Sequence, residues 1–553
     1  MTEFSQANSP LQVFTPLPEN TLLATRLVGR EAMGDTFEFT VSLIAQLGTP
    51  IDFSQLIGQF AYAVVSLPGG ASRTYHGMIW EFWQDDSDGV FDHYTMVLRP
   101  RTTRLGLVKR SRVFQNQSAT QIFSELLAPL ETPEGWATQM FVLPLPSRVY
   151  CTQYRETDLQ FLRRLCSESG VTYYWIHRSG NHCINLSDNT TINAPDLGPI
   201  PYQRQASGTL EETGIRSWRL RQRQSVTSAQ VVGSQFEVFN QELQSTTSGP
   251  AAITAGSVPL KPFGFPSPWQ EDELSASRFF DSVTASGASN PDAITNIYSS
   301  QPKQSTIAAF ACASNSVRAF AVGDCCQLTP GHSFTLTGHP NQSGQWVVVS
   351  VEHTVEMEGR YWAGEASALK TEARAECAPL SLQQHIWPLV PKPKIGGVLT
   401  GIVIGPENNE IFLDQYGRVQ VRFWWDRDNS TTSCWIRVAQ VWAGQGYGAF
   451  FWPRVGHEVV VSFENGDPDR PIIVGSVYNN TNSVPVPMPQ SSYLSGVKSK
   501  TEGGDVTKNF HTMILSDEMN AAVIYVHAET HMLVHQEQTQ VNNHHGRSIT
   551  FEG

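Results

Sequence analysis

Residues 411–479 decide the fold of the central part of this chain. Their sequence is IFLDQYGRVQVRFWWDRD (411–428), SCWIRVAQVWAGQGYGAFFWPRVG (433–456) and HEVVVSFENGDPDRPIIVGSVYN (457–479). Apolar side chains recur at every second position, as in Val419, Val421, Phe423 and Trp425, which is typical of half-buried strands. The dipeptide Asn465-Gly466 tolerates the positive backbone angles of a tight hairpin. Several short strands in so short a stretch predict a small closed barrel, for which the oligonucleotide/oligosaccharide-binding (OB) barrel is the natural candidate.

Length and charge restrict the remaining possibilities. A chain of 553 residues should form several domains, because single hydrophobic cores stop growing at about 250–300 residues. The net charge of -13 argues against nucleic acid as the main partner. The chain starts MTEFSQANSPLQVF, without a basic segment followed by an apolar one, and it contains no long apolar run. We therefore expect a cytoplasmic product that leaves the cell, if it does, without a signal peptide.

The eight cysteines indicate reduced, buried thiols. They show no C-x-x-C pair or metal-finger spacing, and they are Cys151, Cys166, Cys183, Cys312, Cys325, Cys326, Cys377 and Cys434. A vicinal Cys325-Cys326 disulfide is the alternative, although cytoplasmic proteins seldom keep one.

The first 380 residues combine β-like alternation with two short helices. TFEFTVSL (36–43) and VTYYWIH (171–177) are predicted strands. Ser118 with Gln121, and Thr157 with Gln160, fit capping boxes at helix starts, and Gly170 is well placed to end the second helix. Residues 244–291, rich in small and turn-forming residues, are expected to be loop.

Several long phrases then identify a family. Besides the stretch already quoted, they are YTMVLRPRTTRLGLVKRSRVFQNQSATQIFSELL (94–127), YCTQYRETDLQFLRRLCSESGVTYYW (150–175), GIRSWRLR (214–221), GHSFTLTGHPNQSGQWVVVSVEH (331–353) and SGVKSKT (495–501). In this order they closely resemble the valine-glycine repeat protein G (VgrG) family, the spike of the type VI secretion system, which is related to the tail hub and spike of contractile phages.

The resemblance implies a mainly β, multidomain fold. Expected are a phage tail hub-like region with short helices, two tube-type barrels and insert domains (1–380), a linker (381–396), an OB-fold barrel (397–480), a second linker (481–512) and the start of an intertwined trimeric β-helix or β-prism (513–553). Two barrels per chain would give a trimer six, matching a hexameric tube. No internal repeat is visible in the letters themselves.

The resemblance also implies a structural signature in the OB barrel, most of it at turns and strand ends. Its members are Asp414, Tyr416, Gly417, Arg418, Trp425, Asp426, Trp435, Arg437, Pro453, Arg454, Gly456, Gly466, Asp467, Asp469, Arg470, Pro471 and Gly475.

The tail beginning MILSDEMNAAVIYVHAETHMLVHQ (513–536) alternates again. One face carries a narrow apolar stripe, which consists of Ile524, Val526, Ala528, Met532 and Val534. One chain cannot bury such a stripe and would leave strand edges unpaired. Three chains around a common axis solve both problems, so we interpret these residues as a trimer-axis stripe.

Histidines in the tail raise the alternative of a metal site on that axis. They are His527, His531, His535, His544 and His545. Because the first three fall on the face opposite the stripe, we favour solvent-facing side chains, and we predict no metal, cofactor or catalytic residue. HAETH (527–531) lacks the spacing of the H-E-x-x-H zinc signature.

Two side-chain groups in the barrel leave alternatives open. A hydrolase acting on envelope polymers would need two facing carboxylates from Glu410, Asp414, Asp426, Asp428, Glu464, Asp467 and Asp469. We favour turn hydrogen bonds and ion pairs for them. A carbohydrate-binding module would use Trp424, Trp425, Trp435, Trp442 and Trp452 as a stacking platform, whereas the resemblance implies that these pack the barrel and the trimer.

The clearest basic cluster has two interpretations, a solvated face or a docking patch for an acidic neighbour. It consists of Arg99, Arg101, Arg104, Lys109, Arg110 and Arg112.

The function implied by the resemblance is mechanical and non-enzymatic. A homotrimer would seat its hub on the hexameric tube of the haemolysin-coregulated protein, contact baseplate proteins, and carry a proline-alanine-alanine-arginine repeat tip protein or an effector at its spike end. It would be cytoplasmic before firing and would cross target membranes mechanically after contraction.

Overall fold

The computed structural model describes residues 4–67, 70–130, 136–142, 144–203, 213–239, 243–260, 264–265, 267–272, 292–358, 368–386, 389–427, 433–533 and 535. Strands dominate these ranges. None of the helices described there is both long enough and apolar enough to cross a bilayer.

The N-terminal region contains most of the described strands and the three described α-helices. The first elements are β1 (Leu11–Phe14), β2 (Leu23–Ala32), β3 (Glu38–Gln46), β4 (Phe60–Ser66), β5 (Ser72–Ser87) and β6 (Phe91–Arg99). Next come β7 (Lys109–Ser118), α1 (Ala119–Leu127), β8 (Ala137–Met140), β9 (Ser147–Thr157), α2 (Asp158–Ser169), β10 (Thr172–Arg178) and β11 (Asn181–Ser187). The region ends with β12 (Asp196–Pro201), β13 (Ile215–Gln222), β14 (Ser225–Val226), β15 (Ser228–Gly233), β16 (Leu243–Ser248), β17 (Ile253–Ala255), β18 (Val258–Leu260), β19 (Gly264–Phe265), β20 (Trp269–Asp272), α3 (Asp292–Ser314), β21 (Val317–Gly323), β22 (Ser333–Thr337), β23 (Gly344–Glu358) and β24 (Ala368–Pro379).

The C-terminal region is built from short strands. They are β25 (Leu399–Ile404), β26 (Gln420–Phe423), β27 (Arg437–Val438), β28 (Trp442–Ala443), β29 (Gly448–Ala449), β30 (Glu458–Phe463), β31 (Pro471–Val477), β32 (Leu494–Lys498), β33 (Thr512–Ser516) and β34 (Val523–His527).

The largest sheet, of twelve strands, contains the same strand order twice. Its first half runs β1-β4-β5-β6-β3-β2, and its second half runs β12-β22-β23-β24-β21-β13. Taken in chain order, each strand of the first half corresponds to one strand of the second. The halves join where β2 pairs antiparallel with β23. The structure therefore contains an internal repeat that the letters of the sequence did not reveal.

Irregularities in pairing support the same correspondence. The register of β2 on β3 shifts between Ala24 and Arg26, and that of β13 on β21 shifts between Ile215 and Ser217. The register of β5 on β6 likewise shifts after Ile79, and that of β23 on β24 shifts after Val348. Because a bulge fixes local twist and register, matching bulges indicate the same local geometry in both halves.

The two predicted capping boxes are confirmed. Ser118 begins α1, and its hydroxyl accepts from the Gln121 amide while the Gln121 side chain accepts from the Ser118 amide. Thr157 and Gln160 do the same for α2. Gly170 ends α2 in the left-handed conformation, with φ +70°, as its position after the apolar face predicted.

Residues 399–477 form the small closed barrel that the sequence predicted. Strand order is β26-β25-β30-β31-β27. The barrel closes where the amides and carbonyls of Val419 and Ile436 exchange hydrogen bonds of 3.1 and 2.8 Å. Asn465 and Gly466 have φ values of +56° and +75°, as expected for a tight turn.

Three parts of the chain differ from expectation. The expected loop at 244–291 contains short strands in its described parts, because β16 pairs with β15 and β17 pairs with β18. The expected linker 481–512 contains β32. Helix α3, which follows the loop, had no sequence signal that we recognised. In the tail, β34 ends at His527, while Val534, His544 and His545 lie outside the described residues.

Candidate functional site

The last three strands carry an apolar face. Strands β32, β33 and β34 form an antiparallel sheet in which Val497, Met513 and Val526 are cross-strand neighbours, as are Leu515 and Ile524. Cross-strand neighbours share a face of the sheet. The exposed fraction of these five side chains ranges from 40% at Leu515 to 66% at Ile524. A contiguous apolar surface of this kind marks an interaction site in most soluble proteins.

The opposite face of this sheet is partly covered by its own chain. The ring of His527 stacks on Phe510 with centroids 4.7 Å apart, and Lys498 lies over the same Phe510 ring at 4.2 Å. The apolar face therefore differs from the opposite face of the sheet, as expected if one face binds a partner.

Part of the predicted trimer-axis stripe lies on this apolar face. Ile524 and Val526 are on it, Ala528 is half-buried just beyond β34, and Met532 is exposed. Val534 falls outside the described residues. His531 and His535 are exposed, and in the described part of the chain no three histidine, cysteine or carboxylate groups converge as metal ligands would.

The barrel carries a second apolar surface, which we name the aromatic arm (residues 441–452). It consists of the hairpin β28–β29 and its flanks. Trp442 packs on Tyr447 with centroids 5.5 Å apart, yet both remain more than 60% exposed, as does Phe450. The barrel hydrogen bonds thus position large aromatic side chains that this chain does not cover.

The five barrel tryptophans fall into different environments. Trp435 is buried, and Trp425 stacks on Phe423 at 5.2 Å. Trp452 lies against Gly417, where a Cβ would come within 2.5 Å of its ring. Trp424 and Trp442 are mostly exposed. The five therefore do not form one stacking platform: two pack the barrel, one packs a turn, and two face outward.

A buried ionic network joins the N-terminal region to the barrel. The Arg164 guanidinium, fully buried on α2, donates to Glu156 at 2.8 Å, to Glu168 at 2.7 Å and to the Thr152 carbonyl at 2.8 Å. Arg148 of β9 contacts the other oxygen of Glu168 at 2.7 Å. Burial opposes ionisation of Glu168, but Arg164 and Arg148 hold its pKa well below the ordinary value. The network therefore stays charged at neutral pH.

Two barrel carboxylates extend this network. Lys392, in the segment before the barrel, contacts Asp467 at 2.8 Å and Asp469 at 2.5 Å. The other Asp469 oxygen accepts from the Thr152 amide of β9 at 2.7 Å. Burial disfavours the charged lysine, but the two aspartates raise its pKa above the ordinary value. We name this set of contacts the ionic joint.

A second contact joins the N-terminal region to the barrel through Phe236. Phe236, from the N-terminal region, lies between the guanidinium groups of Arg418 at 4.9 Å and Arg437 at 5.4 Å, and meets the Tyr416 ring edge at 5.1 Å. Such cation–π contacts contribute on the order of 0.5–2 kcal/mol each. Together with Tyr154 of β9, which packs into the barrel core, they fix the barrel against the preceding region.

The rest of the predicted barrel signature serves turns and ion pairs. Asp414 binds Arg418 at 2.6 Å, Arg470 binds Glu464 at 2.8 Å, and Arg454 binds Glu410 at 3.2 Å. Gly456 and Gly466 have positive φ, whereas Gly475 and Pro471 lie in β31. Asp426 is buried, and Pro453 lies between the aromatic arm and β30. That the whole set forms a structural signature of the OB barrel stays a prediction.

The described carboxylates of the predicted set do not converge on a cleft, and Asp428 lies outside the described residues. A cavity of ≈ 40 Å³ between β9, Phe236 and the barrel is lined by one carboxylate, Asp469, together with Arg418, Arg437 and Trp435. Glycoside hydrolysis needs two facing carboxyl groups. The geometry therefore favours the structural interpretation of these residues.

The basic cluster is not one docking patch. Arg101 is buried with its guanidinium 4.6 Å from the Phe60 ring, so it is not available to a partner, and our assignment of that residue is wrong. Arg110 and Arg112 each contact Asp158 at 3.3 Å, and Arg99 contacts Glu38 at 2.7 Å. Arg104 and Lys109 are exposed. Local carboxylates thus neutralise much of the charge that the sequence suggested.

Comparison with known families matches both regions. Residues 30–359 match the phage tail baseplate hub (GPD) family, and residues 401–478 match the type VI secretion system/phage-baseplate injector OB domain. The solved structure of the E. coli c3393 protein, a component of the type VI secretion system described as similar to T4 bacteriophage tail proteins, aligns with a TM-score of 0.55 at 16% identity, covering 84% of this chain and 99% of that one. The fold is therefore mainly β and multidomain, with a hub-like region followed by an OB barrel.

Similarity to spike proteins extends over almost the whole chain. The type VI secretion system spike protein VgrG1a of Pseudomonas aeruginosa is 31% identical over 531 residues, which cover 94% of this chain and 77% of that protein. The actin cross-linking toxin VgrG1 of Vibrio cholerae is 28% identical over 97% of this chain, which spans 47% of the toxin. The chain therefore belongs to the VgrG family of type VI secretion system spike proteins.

Proposed function

We propose that the protein acts as a homotrimeric, non-enzymatic spike. The observation that carries this proposal is the apolar face of β32–β34, which is largely exposed in the single chain. A contiguous exposed apolar face marks an interaction site in soluble proteins. Three copies around one axis cover all three faces equally, and no other part of the described chain packs over this face.

The proposed trimer has a direction. The hub region, carrying two barrel-like strand sets per chain, would seat on the hexameric tube of the haemolysin-coregulated protein and contact the baseplate. The sheet of β32, β33 and β34, which we name the spike sheet, lies at the other end and would carry a proline-alanine-alanine-arginine repeat tip protein, an effector, or both. The chain would be cytoplasmic before firing and would pass target envelopes by mechanical force from contraction elsewhere.

The OB barrel would act as a rigid connector between the two ends. The ionic joint and the contacts of Phe236 hold it against the hub, and its aromatic arm offers a further surface to neighbouring copies. Since its carboxylates are used in ion pairs and turns, we propose no hydrolytic role for it.

A double substitution on the apolar face tests the proposal. Ile524→Asp with Val526→Asp would place six carboxylates around the axis of a trimer, so light scattering should change from a mass of three 61.3 kDa chains towards one. Val523→Asp, equally exposed but on the back of the same strand, is the matched control and should remain trimeric. A monomeric wild-type chain would refute the proposal.

A further inference from the structure

Two of the open strand edges in the twelve-stranded sheet have complementary side chains. The first is the outer edge of β13, which is the terminal strand of the sheet and beyond Ile215 pairs only with β21. The second belongs to β5. Strand β4 covers one side of β5 up to Met78, and β6 covers the other side to the end, so the first side is open from Glu81 onward.

The internal repeat shows how an equivalent strand edge is paired. In the second half of the sheet, β22 covers the start of β23, and β2 covers the same side from Ser350 to Glu356. Strand β23 corresponds to β5, and β2 corresponds to β13. The open side of β5 is therefore the position that β2 occupies on β23, and within one chain no described strand fills it.

The matching bulges allow the register to be transferred. Aligning the shift after Ala24 with that after Ile215 places Ala32 on Arg223 and Val28 on Arg219. Aligning the shifts after Ile79 and Val348 places Ser350 on Glu81 and Thr354 on Asp85. Because Ala32 faces Ser350 and Val28 faces Thr354, Arg223 would face Glu81, and Arg219 would face Asp85.

The chemistry of the two edges agrees with this register. Arg219 and Arg221 of β13 and Arg223, the residue that follows it, alternate with their neighbours and are exposed, and no carboxylate of the described residues lies within ion-pair distance of them. Both Arg219 and Arg221 rest on the Phe320 ring, at 5.3 and 4.8 Å. Three unneutralised arginines in a row are unusual in a chain with a net charge of -13.

Strand β5 presents the complementary row. Glu81 is about half exposed and has only a loose contact to Arg99 at 3.6 Å. Asp85 accepts from the indole of Trp83 at 3.0 Å and from Thr95 at 2.7 Å. The Trp83 ring, 40% exposed, lies between the two acids along the strand and would face Arg221 in the transferred register. Two ion pairs and one cation–π contact would then align along a single face.

We infer that β13 of one copy pairs antiparallel with the open side of β5 in a second copy, with Arg223 facing Glu81, Arg221 facing Trp83 and Arg219 facing Asp85. This inference rests on the proposed trimer and assigns the surface by which its hubs meet. The two edges are different surfaces, so the contact is heterologous, and repeated contacts of this kind close into a ring when the rotation permits. Each ring would alternate the internal β2–β23 pairing with the new β13–β5 pairing.

A disulfide tests the register without altering a charge. Leu220 would lie directly opposite Gln84, so Leu220→Cys with Gln84→Cys in the full chain should give covalent dimers and trimers on a non-reducing gel under mild oxidation, because directly opposed residues have Cβ atoms about 4.5–5.5 Å apart. The matched control is Leu220→Cys with Ser72→Cys, since Ser72 lies on the same strand but about 40 Å from Gln84 at ~3.3 Å per residue. The wild-type chain, whose cysteines form no disulfide and are mostly buried, gives the background.

Charge reversal tests the ion pairs in the same cysteine background. Arg223→Glu or Glu81→Arg alone should lower the yield of intermolecular disulfide roughly tenfold, and the two together should restore it, because attraction returns with the signs exchanged. Arg178→Glu, an exposed hub arginine outside the surface, should leave the yield unchanged.

The outcomes separate the two proposals. A trimer by light scattering that forms no disulfide at 220 and 84 overturns this inference and leaves the proposed function standing. A monomer removes the proposed function, and the inference falls with it. Formation of the disulfide with rescue by the double charge reversal supports both.

Discussion

At the scale of single residues, Arg164 shows how a fully buried charge is compensated by several partners. It is fully buried and satisfies two carboxylates and a carbonyl. Its neighbour Arg163 is 40% exposed and lies 3.5 Å from Asp35. The two residues share a helix and a charge but differ in burial, which makes them a matched pair.

We expect Arg164→Met to lower the free energy of unfolding of the hub by about 3–5 kcal/mol, because it leaves Glu156 without its cation and Glu168 with Arg148 alone. Arg163→Met should cost less than about 1 kcal/mol, since exposed ion pairs contribute little. Denaturant unfolding followed by circular dichroism measures both. Equal losses would show that the buried network is not what stabilises this part of the hub.

Buried histidines predict loss of stability in mild acid. His353 is fully buried, its Nε2 donates to the Leu328 carbonyl at 3.2 Å, and burial lowers its pKa to about 4 from the ordinary 6.5. Below pH 6.5 the unfolded chain takes up a proton that the folded chain does not accept until about pH 4. Stability is therefore lost as the pH falls through this window.

His353→Gln should make this loss shallower, because glutamine can still donate to the Leu328 carbonyl but takes up no proton. We expect the slope of unfolding free energy against pH to fall by up to about 1.4 kcal/mol per pH unit between pH 6.5 and 4. His531→Gln, exposed in the tail, is the control and should leave the slope as it is. An unchanged slope in His353→Gln would contradict the assignment.

At the scale of elements, local signals were enough for the helix starts and the barrel. Ser118 with Gln121 determines its own geometry through hydrogen bonds three residues apart, and Val459, Val461 and Phe463 alternate because one face is buried. The prediction that Arg101 belongs to a docking patch was wrong, because its burial against Phe60 depends on a strand that is distant in the sequence. The sequence did not predict the ionic joint for the same reason, since Lys392, Asp469 and Thr152 come from three separated segments.

The ionic joint leads to a prediction about local opening around the Thr152 amide. Lys392→Met leaves Asp467 and Asp469 without their shared cation, so the turn that carries them should release the Thr152 amide. We expect hydrogen exchange of that amide to accelerate by at least roughly tenfold. Lys394→Met, two residues away and exposed, provides the control. Equal exchange in both variants would show that the aspartates are held by other contacts.

At the scale of the whole molecule, the repeated strand order is the feature that sequence could not provide. The halves share pairing order and bulge positions, but Leu27 corresponds to Trp218 and Val28 to Arg219, so no letters repeat. Register lies in hydrogen bonds between backbone groups, which many side chains permit. The resemblance implied two similar barrels, and the pairing order shows how their strands correspond.

Assembly should appear as a concentration-dependent melting temperature. If three chains share the apolar face of β32–β34, a tenfold rise in chain concentration should raise the Tm of the wild-type chain by a few degrees, because association stabilises the folded state by mass action. The Ile524→Asp, Val526→Asp variant should show no such dependence. Differential scanning calorimetry at two concentrations measures both, and a concentration-independent wild type would count against the trimer.

The open edges of β5 and β13 also have a consequence for biosynthesis. A chain that binds one copy through β5 and another through β13 sets no limit on the number of copies. Hubs alone would therefore add head to tail into filaments unless the rotation closes the ring. Both edges are complete before the ribosome reaches β32–β34. The spike sheet is synthesised last and would then limit the assembly to three copies. Nascent chains would have to be kept apart until it emerges.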